Sequence, residues 1–227
     1  MWKVLAVFYA LCSAVIAQDI NSCKNVTTSG VQEKLFNTFT NTLFDKVLSS
    51  VAKSRAIDRV SLPNIVHTFG SKVIAKISGQ VSLYRGILEG LPSLTRTGNC
   101  RLEVGECGID IKVDLGAGPL NSSFVGLFRV MGFGQAVTVD VNVRDLRILL
   151  GLAQTPGSPL ELTEFKVQQL RGVTVAMHGL EFLSKVFNKL SAELTNLFEV
   201  QIKDATEKQI REAVAEQIRK LNDITFF

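Results

Sequence analysis

Histidine, the side chain most used for acid–base chemistry and metal binding, is scarce in this sequence. His67 and His178 are the only two, and neither lies in a zinc-protease, serine-hydrolase or phosphate-loop motif. Asp110 and Asp114 lie four residues apart on a predicted strand, and we interpret them as part of a solvated face. We expect His178, beside Gly179, to have a packing or capping role. The sequence therefore predicts no enzymatic activity, no bound metal and no cofactor.

Cysteine is also sparse, and its spacing excludes a zinc or redox centre. None of the four cysteines forms a Cys-x-x-Cys pair. Cys100 and Cys107 bracket a predicted hairpin turn, where an oxidising compartment favours a disulfide between them. Cys12 falls within a predicted leader segment. Cys23 is then left over: free, paired between chains, or exchanged with one of the other two.

Long apolar runs are missing after the first residues of the chain. Residues 1–17 combine an early lysine, an apolar centre and small residues at the end, which is typical of a secretory signal peptide. This segment is too short for a membrane span, and no later stretch approaches the roughly 20 apolar residues that a span needs. We therefore expect a secreted, extracellular protein. The sequons at Asn25 and Asn121 suit that compartment and are predicted N-glycosylation sites.

Charge of one sign is not concentrated anywhere in the chain. The formal net charge is +4, and lysine and arginine are scattered without interleaved aromatic residues. Nucleic acid is therefore not an expected partner. The 227-residue sequence is 46% hydrophobic and 20% charged, and residues 18–227 have enough apolar side chains to build the core of a single domain.

Proline is absent from residues 180–221, and so is glycine, so nothing in this stretch forces a helix to end. Apolar residues recur there at steps of three, four and five, which predicts a long helix with one broad apolar stripe. A second amphipathic helix is predicted for residues 31–54, with the chain from residue 55 to Pro63 ending it. Its stripe is wider than a coiled-coil seam and needs a broad apolar partner.

Between residues 65 and 155, apolar residues alternate with polar or small residues, so the apolar pattern repeats every two residues and no longer has the spacing of a helix. Glycines punctuate the alternation, as expected for an antiparallel series of strands with turns and bends. The continuous apolar run of residues 124–131 predicts a strand with apolar surroundings on both faces. Further strands are predicted at residues 160–167 and 170–175. The fold class is therefore α+β, with a strongly curved antiparallel sheet wrapped around the long C-terminal helix and a second, N-terminal helix.

Several motifs in this order resemble the group 7 mite allergens. The densest similarity is Leu160-Glu-Leu-Thr-Glu-Phe-Lys-Val-Gln-Gln-Leu170, followed by His178-Gly-Leu and the long helix. A second region runs from Ile77 to Leu91, with a glycine-bearing strand before a Gly-Leu segment. The resemblance covers residues 31–222. Cys100, Cys107 and the two sequons depart from the family pattern.

The resemblance implies a fold and a class of ligand. The family belongs to the tubular lipid-binding superfamily, together with the bactericidal permeability-increasing and lipopolysaccharide-binding proteins. It implies a super-roll, in which a curved sheet wraps a long helix with a second helix beside it. This expectation agrees with the fold class predicted from periodicity.

Phenylalanine is the abundant aromatic residue, with fourteen copies against one tryptophan and two tyrosines. A gap lined by such residues could hold an acyl chain, at about 0.8 kcal/mol per buried methylene. With the resemblance, this favours a secreted non-enzymatic protein that binds a lipid or lipid-like amphipathic ligand in an apolar cavity between sheet and helices. The candidate contact residues are Phe36, Phe39, Phe44, Phe124, Phe128, Phe182, Phe187, Leu190 and Phe198.

The alternative hypothesis is a fully packed extracellular interaction protein. It would act through another protein or through a peripheral contact with a membrane surface, and it predicts an exposed apolar patch and no cavity. Cys23 and the apolar residues 224–227 are the features that favour such a contact. Homodimerisation through either feature belongs to this hypothesis.

Overall fold

The structure is a computed structural model that describes residues 30–70, 78–105, 108–180 and 184–225. Two long helices lie at the two ends of this part of the chain, α1 (Gly30–Ala52) and α3 (Ser184–Thr225), and a short helix α2 (Arg55–Asp58) follows α1. Between them the described residues form these strands: β1 (Arg59–Leu62), β2 (Ile65–Gly70), β3 (Ser78–Glu89), β4 (Thr95–Arg96), β5 (Arg101–Gly105), β6 (Gly108–Ala117), β7 (Leu120–Val130), β8 (Phe133–Val143), β9 (Asp145–Gln154), β10 (Glu161–Arg171) and β11 (Thr174–His178).

The predicted helices are present, and the segment after α1 holds more structure than predicted. The Ser54 hydroxyl accepts a hydrogen bond from the Ala56 N–H at 3.3 Å and caps α2. Residues 59–62, directly after α2, form β1, where Val60 and Leu62 are buried and pair with β3. Four residues are too few for alternation to stand out in the sequence, so β1 was not predicted between the end of α1 and Pro63.

The strands form two antiparallel sheets. The first has the order β1-β3-β7-β8-β11, and β2 pairs with β3 further along the same edge as β1. The second has the order β10-β9-β6-β4, with β5 also pairing with β6. The predicted antiparallel arrangement is confirmed, but the strands divide into two sheets where one was predicted.

The two sheets meet along a line where three long strands are bent. The chain passes from β6 to β7 at Gly118–Pro119, from β8 to β9 at Arg144, and from β10 to β11 beside Gly172. The pairing registers place these three points side by side, and the Arg144 N–H donates to the Arg171 carbonyl at 3.0 Å. We call this line the crease. Gly118 and Gly172 both have positive φ and lie against Arg144, so a side chain at either would meet it.

Both helices lie inside the curve of the sheets. The two edge strands of the first sheet, β1 and β11, both contact α3, which requires that sheet to curve around the helix. In the second sheet, β10 contacts α3, while β4 and β5 contact α1. The helices also contact each other. The predicted fold class, a curved antiparallel sheet structure around a long C-terminal helix with an N-terminal helix beside it, is therefore confirmed.

The buried stripe of α3 winds around the helix. Its most buried side chains recur every four residues from Leu190 to Ile218 and include Phe198, Ile202 and Ile210. Four residues turn an α-helix by about 400°, so each step moves the stripe by about 40° and seven steps move it by roughly 280°. The sequence predicted one broad stripe on a single side. The winding follows from the wrapped fold, because different strands cover different sides of α3 along its length.

The apolar run at residues 124–131 has one buried face and one exposed face. Phe124, Phe128 and Val130 point inward and are buried, whereas Val125 on the outer face is 46% exposed and Met131 is 66% exposed. The prediction of apolar surroundings on both faces was therefore wrong for the outer face. Periodicity cannot distinguish these cases, because a continuous apolar run fits both.

Candidate functional site

Aromatic rings from the first sheet pack inward against α3. The Phe124 ring lies over Gly86 of the neighbouring strand, and its centroid is 5.3 Å from that of Phe198 on α3. A similar arrangement occurs on nearby strands. There the Phe69 ring lies over Gly79 and stacks on Phe128, with the two ring centroids 5.4 Å apart. The two glycines leave the space that each ring fills. This ring packing joins the first sheet to the long helix.

The candidate ligand-contact residues divide into a core group and a boundary group. Phe44, Phe124, Phe128, Leu190 and Phe198 are at most 4% exposed. Side chains with almost no accessible surface border no cavity that would admit water, so these five fill the core in this structure. Phe39 and Phe187 are half-buried. Phe36 lies on α1 with its side chain outside the described set, and Phe182 lies outside the described residues.

Half-buried apolar side chains are present on both β11 and α3, two elements that contact each other. Val175 and Met177 pair with the buried Val141 and Val139 of β8, so they share the inner face of the first sheet. That face contacts α3, where Phe187 and Leu197 also pack against the core while remaining partly exposed. We call these side chains the β11 seam: Val173, Val175, Met177, Phe187 and Leu197.

Beyond the seam, polar side chains in the second half of α3 hold the edge strand β10. The Arg211 guanidinium donates to the Phe165 carbonyl at 2.6 Å, and the Val167 N–H donates to the Glu207 carboxylate at 3.4 Å. Asn222 bonds both backbone groups of Leu160, just before β10. An edge strand has unpaired backbone groups, and these side chains satisfy several of them. This role of the polar side chains was not predicted from the sequence, in which a polar residue beside an apolar stripe is only a weak signal for it.

The two histidines lie in separate places. His67 faces α3, with Nε2 3.6 Å from a Glu193 carboxylate oxygen, and His178 is on the outer face 3.2 Å from Asp140. Ser123 is the cross-strand partner of Asp140. The carboxylate thus lies between the hydroxyl and the imidazole, whereas a nucleophilic triad needs the imidazole in the middle. The His178 side chain is exposed beside Asp140, and the start of α3, where a capping role was predicted for it, follows residues 181–183, which lie outside the described residues.

Asn121 lies in a shallow cleft on the outer face of the first sheet. The cleft has a volume of about 500 Å³ and is open to solvent. It lies over a bulge in β3, where Arg85 has a φ of 56° and the register with β7 shifts. Asn121 is exposed, as an acceptor for a glycan must be, and Asn25 lies outside the described residues. The lining residues include Arg59, Arg85, Glu89, Asn121, Ser123, Asp140 and Asn142.

Cys100 is a buried free thiol next to α1. Its N–H donates to the Asn41 side chain at 2.9 Å, and Arg96 nearby forms two hydrogen bonds to Asp45 at 3.0 and 3.1 Å. Burial raises the pKa of the Cys100 thiol to about 11. Cys107 and Cys23 lie outside the described residues, so the predicted bridge from Cys100 to Cys107 stays a prediction. The Asp110 and Asp114 face is solvated as predicted, and Asp114 pairs with Arg101 at 3.0 Å.

Within residues 30–70, 78–105, 108–180 and 184–225, no three His, Cys, Asp or Glu side chains come together as a metal site requires. In the same part of the chain, neither long helix is apolar over enough of its length to cross a bilayer.

The sequence model of the group 7 allergen family matches residues 39–218. The chain belongs to the group 7 allergen family. The match begins within α1, ends within α3 and includes both sheets. The family pattern therefore covers the aromatic core, the β11 seam and the crease.

Relatives within the group 7 allergens are distant in sequence. Mite allergen Der f 7 of Dermatophagoides farinae is 24% identical over 169 residues, covering 72% of this chain and 78% of that protein. Mite allergen Der p 7 of Dermatophagoides pteronyssinus is 22% identical over 206 residues, covering 89% of this chain and 91% of that protein. Among solved structures, Takeout 1 of Epiphyas postvittana is similar with 14% identity and a TM-score of 0.39, over 81% of this chain and 88% of Takeout 1.

Proposed function

We propose that this group 7 allergen is a secreted, non-enzymatic protein that binds a lipid or lipid-like amphipathic ligand, whose apolar chain enters the β11 seam. One observation carries the proposal: apolar side chains on β11 and on α3, two elements in contact, pack on the core and yet remain partly exposed. An apolar chain gains the most binding free energy where apolar surface beside a core is still partly exposed to water.

The position of the polar contacts indicates which part of α3 could separate from the sheets. Glu207, Arg211 and Asn222 bond to β10 from the second half of the helix. The first half contributes apolar side chains, including Phe187, Leu190 and Leu194. Apolar contacts can be exchanged for contacts with an acyl chain without leaving a buried polar group unpaired. Each methylene buried in this way contributes about 0.8 kcal/mol.

The packed interaction protein remains the competing proposal, and a specific observation favours it. Phe128 and Phe198 are fully buried, so the centre of the described core has no room for a ligand without rearrangement. The two proposals therefore differ over the seam: the first requires it to open for a ligand, and the second requires it to stay closed.

The test is displacement of a fluorescent fatty-acid probe, together with native mass spectrometry of the secreted protein and lipid analysis of an organic extract. Met177→Gln places an amide in the seam and should weaken probe binding about tenfold or more, because the amide loses its hydration there. Met131→Gln is the matched control, since Met131 is exposed at the far end of a hairpin and away from the seam. A protein that carries no lipid and takes up no probe would support the packed alternative.

The route of secretion and the glycan sites belong to the same proposal. Residues 1–17 would be removed as a signal peptide, leaving residues 18–227 as the mature domain. The exposed Asn121 would carry an N-linked glycan in the outer cleft, and Asn25 would be a second acceptor. An exposed acceptor side chain supports this assignment for Asn121.

A further inference from the structure

Among the described residues, one end of the first sheet is almost free of charge; residues 71–77, which contain Lys72 and Lys76, lie outside them. This end consists of β2, residues 78–84 of β3, and the β7–β8 hairpin from residue 124 to residue 139. Across these segments, Arg129 is the only lysine, arginine, aspartate or glutamate in the sequence. We call this region the uncharged end. It lies away from the crease, where Arg144 and Arg171 lie.

The uncharged end also holds most of the exposed apolar side chains. Six large apolar side chains are exposed among the described residues, and five of them lie here. Isolated exposed apolar side chains are ordinary, but a cluster of them in an uncharged region indicates an interaction surface. The five are Val66, Tyr84, Val125, Met131 and Phe133.

These side chains occupy two separate positions on the first sheet. Tyr84 and Val125 are cross-strand partners on the outer face, and Val66 lies on the same face in the next row of the sheet. Met131 and Phe133 lie at the turn of the β7–β8 hairpin and are the most exposed, at 66% and 80%. The hairpin turn is therefore the most exposed part of this apolar surface.

The turn itself has a methionine where the backbone does not favour one. Met131 has a φ of 49° and Gly132 a φ of 87°, as in the two-residue turns whose twist fits a hairpin. Asparagine or glycine is the usual residue at such a position, because a larger side chain is strained there. Since Met131 is also two-thirds exposed, packing within the folded chain does not account for a methionine at this position.

We infer that the uncharged end docks on the surface of a phospholipid membrane, with Met131 and Phe133 entering the interface between headgroups and acyl chains. A stable protein interface buries about 800 Å² on each partner, and a convex two-residue turn offers far less than that. A bilayer accepts such a turn without a complementary pocket. Arg129, paired with Gly134 just behind the turn, is placed to meet lipid phosphates, and no carboxylate of these segments opposes it.

The strand geometry indicates how the sheet approaches the bilayer. Six residues separate Val125 from Met131, a distance of roughly 20 Å along a strand. Insertion of the turn alone would leave Tyr84 and Val125 in water. A tilted approach, with the outer face turned toward the lipid, brings Tyr84 and Val125 to the interface, where a tyrosine ring is favoured. Phe133 pairs with the inward-facing Val130 and therefore lies on the other face, so it enters the interface from the tip of the turn. The inference does not depend on a ligand in the β11 seam.

The experiment is co-sedimentation of the full secreted protein with phosphatidylcholine vesicles, and with vesicles that also contain phosphatidylserine. The double variant Met131→Ser/Phe133→Ser should lower the partition coefficient roughly tenfold or more, because two apolar side chains no longer enter the interface. Val200→Ser is the matched control, because Val200 is 54% exposed but lies on α3. Circular dichroism and thermal unfolding would verify that all variants are folded.

A second measurement reports insertion directly. The one tryptophan of the sequence, Trp2, lies in the segment proposed to be removed as a signal peptide, so Phe133→Trp places a single indole at the turn of the secreted protein. Its emission should shift to shorter wavelength on vesicle addition and be quenched by brominated acyl chains. Equal vesicle binding by the wild type and the double variant would overturn the inference, and so would the absence of binding in the wild type. A concentration-dependent dimer that the double variant abolishes, without vesicle binding, would assign the surface to a second copy of the chain instead.

Discussion

The side-chain amide of Asn222 and the backbone of Leu160 exchange two hydrogen bonds. The Leu160 N–H donates to Asn222 Oδ1 at 3.0 Å, and Asn222 Nδ2 donates to the Leu160 carbonyl at 2.9 Å. Leu160 lies immediately before β10, the edge strand of the second sheet. A residue near the end of the long helix thereby replaces the neighbouring strand that an edge residue lacks.

Asn222→Ala should lower the free energy of unfolding by about 1–3 kcal/mol, because both part-buried backbone groups of Leu160 lose their partner. Asn222→Asp keeps the acceptor and loses the donor, so its effect should be intermediate. Urea unfolding followed by circular dichroism measures both. Asp223→Ala is the control, since Asp223 is exposed on the next residue of α3. Equal effects at the two positions would show that the amide contacts do not stabilise the protein.

Phe198 and Phe187 should differ sharply when truncated. Phe198→Ala removes a fully buried ring that contacts Phe124 and should cost about 3–5 kcal/mol of folding free energy. Phe187 is only half-buried, so Phe187→Ala should cost about 1–2 kcal/mol. Chemical denaturation of both variants gives the comparison. A cost at position 187 as large as that at 198 would mean that the β11 seam is closed in solution.

Gly172 should tolerate alanine less well than Gly157. Both have positive φ, 64° and 77°, so alanine carries a similar backbone strain of about 1 kcal/mol at each. At Gly172 the new Cβ would also approach the Arg144 Cβ to 2.8 Å, while Gly157 has open space around it. Thermal unfolding should therefore show a larger loss for Gly172→Ala. The difference between the two variants measures how tightly the crease is packed.

Cys100 should react slowly with thiol reagents in the native protein at pH 8. Its side chain is buried and its pKa is raised to about 11, so little thiolate is present or accessible. Alkylation followed by peptide mass spectrometry should find Cys100 unlabelled until the protein is unfolded. If Cys100 is bridged to Cys107 in the secreted protein, it should resist labelling even after unfolding, until a reductant is added.

The raised pKa of Cys100 also predicts a loss of stability at alkaline pH. In the unfolded chain the thiol ionises near pH 9.0, while in the folded protein it stays protonated until about pH 11. Deprotonation then favours the unfolded state, so the contribution of this group is complete below about pH 9 and is lost as the pH rises toward 11. Cys100→Ala should lack this component of the pH dependence in urea titrations. An identical alkaline slope in the variant would assign the loss to other groups.

Asn121 should carry a glycan when the protein is secreted from eukaryotic cells. Enzymatic removal of N-linked glycans should then lower the mass of the peptide that contains it, and Asn121→Gln or Ser123→Ala should abolish the shift. Asn142→Gln is the matched control, because Asn142 lines the same outer cleft without belonging to a sequon. An unmodified Asn121 in secreted protein would remove the glycan proposal for this cleft.

The sequence by itself determined the types of the elements and their order. Helical periodicity without proline or glycine predicted α3, and a period of two predicted most of the strands, because both patterns depend on neighbours a few residues away. It also singled out phenylalanines that the structure places in the core, including Phe124 and Phe198. Short elements such as β1 were missed, since four residues give too little pattern.

The tertiary structure decided which surfaces those elements cover. The crease depends on Gly118, Arg144 and Gly172, which are far apart in the chain and adjacent only after the strands pair. In the same way, Phe128 is buried and Phe133 is 80% exposed, although both are phenylalanines of one hairpin. Local pattern gives the face on which a side chain lies. Only long-range packing decides whether another element covers that face, because the covering element comes from a distant part of the chain.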